Sequence, residues 1–96
     1  MAIFRHAPGV LFEWLDDQGA LIDANGTELV TVNTLGALVW EALDGVRTAG
    51  EIADDLARRF PHVSAAQINR DVEQFLRQMH AAQLVAAADS GSAASS

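Results

Sequence analysis

Side chains able to make or break bonds are few in this chain, and they are scattered. His6, His62 and His80 lie far apart, and none has a second ligand at a metal-binding spacing. Asp16-Asp17 and Asp54-Asp55 are adjacent carboxylates. Neighbouring side chains diverge on a strand or helix, so neither pair can share a proton as a catalytic dyad does. The first pair reads as a polar turn. The second reads as i,i+4 partners of Arg58 and Arg59, each pair contributing about 0.2–0.5 kcal/mol. Gly45 and Gly50 lack the strand–loop–helix setting of a phosphate cradle. There is no cysteine, hence no thiolate metal site and no disulfide framework. The residues therefore predict a protein that is not an enzyme and takes no metal or other cofactor.

Main-chain chemistry offers more. Thr27, Glu28, Leu29, Val30, Thr31 and Val32 form a run rich in β-branched residues, which reads as a strand. At the edge of a sheet such a strand carries unpaired N–H and C=O groups, which proteins usually blunt with Lys or Pro. This run has neither, and Glu28 is its only charge. An open edge can receive an extended peptide, main-chain bonds giving affinity and side-chain pockets giving selection. Two alternatives stand beside that reading: a central strand buried on both sides, or an edge covered by a second copy.

The elements that must position this run can be read from turn and capping signals. Pro8-Gly9 marks a turn after a loose lead-in. Val10 to Leu15 reads as a first strand, Asp16 to Gly19 as a turn and Ala20 to Asp23 as a second strand. Asn25-Gly26 is a tight-hairpin signal, since a type I′ turn needs positive φ at both central residues. Thr27 to Val32 is then the third strand of an antiparallel meander. At Asn33-Thr34, an N-cap signal, the apolar period changes to that of a helix, with Leu35, Leu38, Val39, Ala42 and Leu43 on one face. Asp44-Gly45 ends it. Thr48 with Glu51 is a capping box for a second helix that buries Ile52, Ala53, Leu56 and Phe60, and Pro61 closes it. Ser64 with Gln67 offers another box for a third helix, whose buried stripe is Ile68, Val72, Phe75, Leu76 and Met79. The fold class is α+β: a three-stranded antiparallel sheet followed by three helices, the material of a winged helix-turn-helix. The organisation expected is a flexible lead-in at 1–9, one domain at 10–85 and a disordered tail at 86–96.

With 96 residues, half of them hydrophobic, the chain suffices for one domain with a modest core. No apolar run is long enough to cross a membrane, and the start lacks the pattern of a signal peptide, so a cytoplasmic location is expected and no membrane partner. The formal net charge is −7, which argues against nucleic acid, because phosphate binding is dominated by cationic contacts. A winged-helix DNA-binding regulator remains one rival. Its reading helix would present Gln67, Asn69, Arg70, Gln74, Arg77 and Gln78, but Glu73 stands between Arg70 and Arg77 and no basic stripe survives. A homo-oligomerising interaction domain is the other.

The ordered set from Glu28-Leu29-Val30-Thr31-Val32-Asn33 through Gly36, Val39-Trp40 and Asp44-Gly45 resembles the signature of PqqD-like proteins. So does Arg47-Thr48-Ala49-Gly50-Glu51-Ile52 with Leu56, and so does Asp71-Val72-Glu73-Gln74-Phe75-Leu76 with Leu84-Val85 after it. The resemblance covers about residues 20–85. Val32 departs from the usual Leu, and the first strand matches poorly. The resemblance implies a peptide chaperone, or RiPP recognition element, that binds the leader of a ribosomally made precursor peptide. It further implies presentation of that leader to a maturation enzyme, such as a radical SAM enzyme or a leader peptidase. It places the leader along the third strand, Thr27 to Val32, and in a groove against the third helix. On helical geometry the expected wall is the flank that Asn69, Glu73, Leu76 and His80 share with Val72, with Leu76 as its apolar member and Glu73 or Arg77 placed to meet leader charges. A monomer or weak homodimer is expected.

Overall fold

The computed structural model describes residues 3–87. In chain order its elements are β1 (Phe4–His6), β2 (Leu11–Leu15), β3 (Gln18–Ile22), β4 (Leu29–Val32), α1 (Thr34–Ala42), α2 (Ala49–Arg59), α3 (Ala65–Ala81) and β5 (Val85–Ala87). The expected α+β order holds: an antiparallel sheet β2-β3-β4 with β3 central, then three helices. The strand read as the third is β4, and it begins at Leu29 rather than Thr27.

Side-chain caps set where each helix starts. Asn33 Oδ1 accepts the Gly36 N–H at 2.8 Å, and Thr48 and Glu51 form the complete reciprocal box. Each cap satisfies a first-turn donor that has no partner within the helix. Thr48→Ala is expected to lower the unfolding free energy by about 1 kcal/mol, measurable by urea denaturation. At α3 only half the expected box forms. Ser64 Oγ accepts from the Gln67 N–H at 3.1 Å, while the Gln67 amide is spent on Asp71 at 2.8 Å and Arg70 at 3.3 Å.

The sheet has two distinct faces. Phe12–Leu21–Val30 and Trp14–Gly19–Val32 are cross-strand rows on the inner face. Gly19 lets α1 rest on this face: a Cβ there would stand 2.6 Å from the Phe12 ring and 3.0 Å from the Ala37 Cβ. Gly36 plays the same part between α1 and α3, where a Cβ would come within 2.9 Å of the Phe75 ring. Val39, Ile52, Leu56, Ile68 and Val72 fill the space between helices and sheet.

Several expectations are corrected. No two-residue turn forms at Asn25-Gly26, because only Gly26 of this pair takes positive φ (+71°). The loop spans residues 23–28, between the paired Ile22 and Leu29. The Asp23 carboxylate organises it, accepting the Thr27 N–H at 2.8 Å, the Thr27 hydroxyl at 3.0 Å and the Glu28 N–H at 3.2 Å. The lead-in read over 1–9 contains a strand: β1 pairs antiparallel with β5. His6 fixes its end by stacking on Trp40 with ring centroids 3.8 Å apart, and its Nε2 donates to the Trp40 carbonyl at 2.7 Å. The tail read over 86–96 begins inside β5, and its remainder lies outside the described residues. The Arg58 and Arg59 pairs converge on Asp55, at 3.3 and 3.9 Å, rather than being shared with Asp54.

Candidate functional site

β4 pairs with β3 on one side and, among the described residues, with no strand on the other. Its register determines which groups face outward. The Asp23 N–H donates to the Glu28 carbonyl at 3.2 Å. Hydrogen-bonded pairs alternate along an antiparallel ladder, so Leu21–Val30 and Gly19–Val32 are the bonded pairs that follow. Leu29 and Thr31 therefore turn their N–H and C=O groups away from β3. These are two donors and two acceptors along an exposed rail.

Beside that rail is a groove of about 370 Å³ between β4, α1 and α3. Its apolar lining is Val30, Val32, Leu35, Val39, Phe75 and Met79. Thr31 and Asn33 on the strand side, and Asp71, Gln74 and Gln78 on α3, supply polar groups. Residues 71, 74, 75 and 78 follow i, i+3, i+4 and i+7, which brings them onto one side of the helix. Because Val30 and Val32 project from the inner face, a strand laid along β4 would send alternate side chains into this groove.

The loop leading into β4 is held by charge. The Asp23 carboxyl lies below the ordinary aspartate value of 3.8, first because the Thr27 backbone N–H favours its charged form. A lowered folded value means that the contribution is complete above 3.8 and is lost as pH falls through the folded value. Acidification over that window, or Asp23→Ala at neutral pH, is expected to lower the amide-exchange protection factors of Thr27 and Glu28, each rate read by NMR against that of an unstructured peptide at the same pH.

Cationic side chains are dispersed or neutralised. Asp55 lies within 4 Å of three arginines, Arg47 at 3.8 Å, Arg58 at 3.3 Å and Arg59 at 3.9 Å. Among the described residues no group of His, Cys, Asp or Glu could hold a metal ion, and no helix is long and apolar enough to cross a membrane.

The sequence profile described as Coenzyme PQQ synthesis protein D (PqqD) matches residues 18–85. A "PqqA binding protein" of Rahnella aquatilis is 32% identical over 79 residues, covering 82% of this chain and 79% of that protein. The chain belongs to the PqqD family. The fold of this PqqD-family chain is shared with TbiB1, solved in complex with the TbiA(beta) leader peptide. The TM-score is 0.72 at 21% identity, over 84% of this chain and 93% of that one.

In the PqqD-family chain the residues singled out from sequence fall in separate places. Leu29, Val30, Thr31 and Val32 lie in β4, and Val30, Thr31 and Val32 line the groove. Thr27 and Glu28 belong to the loop that Asp23 holds. Asn69, Val72, Glu73, Leu76 and Arg77 do not line the groove beside β4. They line a second cleft of about 610 Å³ with His80, Phe4, Ala49 and Gly50, on another side of α3. Leu76 and Val72 are core residues, only 2% and 1% exposed. The groove residues not singled out are Asn33, Leu35, Gly36, Val39, Asp71, Gln74, Phe75, Gln78 and Met79. Their one advance signal is the i, i+3, i+4, i+7 run through 71, 74, 75 and 78, which flanks the core stripe opposite 69, 73 and 80.

Proposed function

We propose that this PqqD-family protein binds the leader segment of a ribosomally synthesised precursor peptide by strand addition to β4. The outward groups of Leu29 and Thr31 supply the main-chain bonds, and the groove against α3 takes alternate leader side chains. The chain makes no bond itself. It orders the leader and presents it to a maturation enzyme, such as a radical SAM enzyme or a leader peptidase. Family membership and a relative named for binding PqqA support this reading. The observation that carries it is the unpaired outer edge of β4 lying alongside an apolar groove.

Magnitudes favour edge and groove acting together. Ordering a peptide backbone costs about 1–2 kcal/mol per residue, while each main-chain hydrogen bond nets about 0.5–1.5 kcal/mol. The rail alone therefore cannot hold a flexible chain. One or two apolar leader side chains in the groove, at about 1.5–3 kcal/mol each, tip the balance. Fluorescence anisotropy with a labelled synthetic leader tests the proposal. Saturable 1:1 binding that a scrambled leader does not reproduce is expected. A labelled DNA duplex that binds at low salt while the leader does not would overturn it.

A further inference from the structure

We infer that the outer face of the β2-β3-β4 sheet docks a second protein, one whose own contact surface has Lys and Arg around an apolar ridge, and that this protein is the enzyme modifying the bound precursor. The identity of the partner rests on the function proposed above; the surface itself does not.

Leu11 pairs with Ile22 and Ile22 with Leu29, so three aliphatic side chains form one row across the face turned away from the helices. Leu11 is 63% exposed and Leu29 61%, and Leu15 further along β2 is also exposed. Contiguous exposed apolar rows of this kind mark interaction surfaces. The row belongs neither to the core nor to the groove, which opens from the opposite face through Val30 and Val32.

Charge identifies the kind of partner. Between residues 6 and 46 there are seven carboxylates and no Arg or Lys, whereas the formal charge of the whole chain is −7. The sheet with α1 thus carries the entire charge imbalance, and Glu13 stands on the outer face itself, in register with Ala20 and Thr31. A second copy would bring another chain of formal charge −7 against this one, with Glu13 on each contacting face, and the net repulsion disfavours it. A partner with basic residues around an apolar ridge matches both features. A leader strand added at β4 would continue the same face beyond Leu29, so the docked protein and the peptide would lie side by side.

The test titrates the full-length chain with the enzyme that modifies its precursor, and measures leader affinity on the same samples. Leu11→Gln/Leu15→Gln is expected to weaken enzyme binding about tenfold or more. Leader affinity should stay unchanged, because β2 is the strand of the sheet farthest from the free edge of β4. Glu13→Arg should weaken enzyme binding as well, mainly through association rate and most at low salt. Both substituted side chains of the double variant are exposed, so its melting temperature serves as a folding control. Enzyme affinity unchanged in both variants would overturn the inference. A dimer of the unsubstituted chain in light scattering that the double variant disperses would also overturn it, giving the face to a second copy. A leader that fails to bind the unsubstituted chain counts against the proposed function, whereas the enzyme titration still decides for or against the docking face.

Discussion

Thr31→Pro should leave the fold intact and weaken leader binding by about ten- to a hundredfold. The Thr31 N–H points away from β3, so proline removes no bond of the existing sheet, and edge strands tolerate proline in that orientation. In the complex the same substitution removes one of two outward donors. It also leaves the leader carbonyl opposite it unsatisfied, at about 1–3 kcal/mol, and presses the ring against the incoming strand. Calorimetry with a synthetic leader measures the loss, and circular dichroism checks folding. Val30→Pro is a different experiment. Val30 is a bonded partner of Leu21 on the core side, so proline there should break the β3–β4 pairing and unfold the hairpin. Equal affinity for wild type and Thr31→Pro would mean that the leader does not use this edge.

Leu76→Asp is expected to leave the chain largely unfolded at room temperature. Leu76 is 2% exposed and packs in the core cluster with Val72, Phe75 and Met79. Deleting the aliphatic group alone costs about 2–5 kcal/mol. The buried carboxylate adds a desolvation cost that no nearby cation in the core relieves. Domains of this size hold about 5–15 kcal/mol in total. Urea denaturation followed by circular dichroism should show a collapsed midpoint or no native baseline, and a midpoint equal to wild type would contradict the packing. For this reason Leu76 cannot report on the groove. Gln74 and Gln78, on the side of α3 that faces β4, are the positions at which to alter leader recognition without disturbing the core.

These two experiments also mark where sequence reading succeeded and where it stopped. Helix starts were legible because capping is local: Asn33 and Thr48 each act on a donor three residues away. The strand run at Val30 to Val32 and the stripe through Ile68, Val72, Phe75 and Met79 were legible from their periods. β1 was not, since three residues pair with three others about eighty positions later, and no local signal announces such a contact. The hairpin loop was misread because Asn25-Gly26 has the composition of a tight turn, while Asp23, with three hydrogen bonds, imposes a wider one. The wall of the groove was missed for a geometric reason. Periodicity identifies the buried stripe of α3 and leaves two flanks equivalent. Only the placement of β4 against the helix selects the flank with Asp71, Gln74 and Gln78 over the flank with Asn69, Glu73 and His80.

The alternation along β4 makes the central claim directly measurable, by amide exchange residue by residue with and without a saturating synthetic leader. In the free chain Val30 and Val32 should be protected by β3, while Leu29 and Thr31 exchange freely. Adding leader should slow exchange at Leu29 and Thr31. If those two amides are already protected in the free monomer, or exchange as fast in the presence of bound leader, the peptide is not held on this edge.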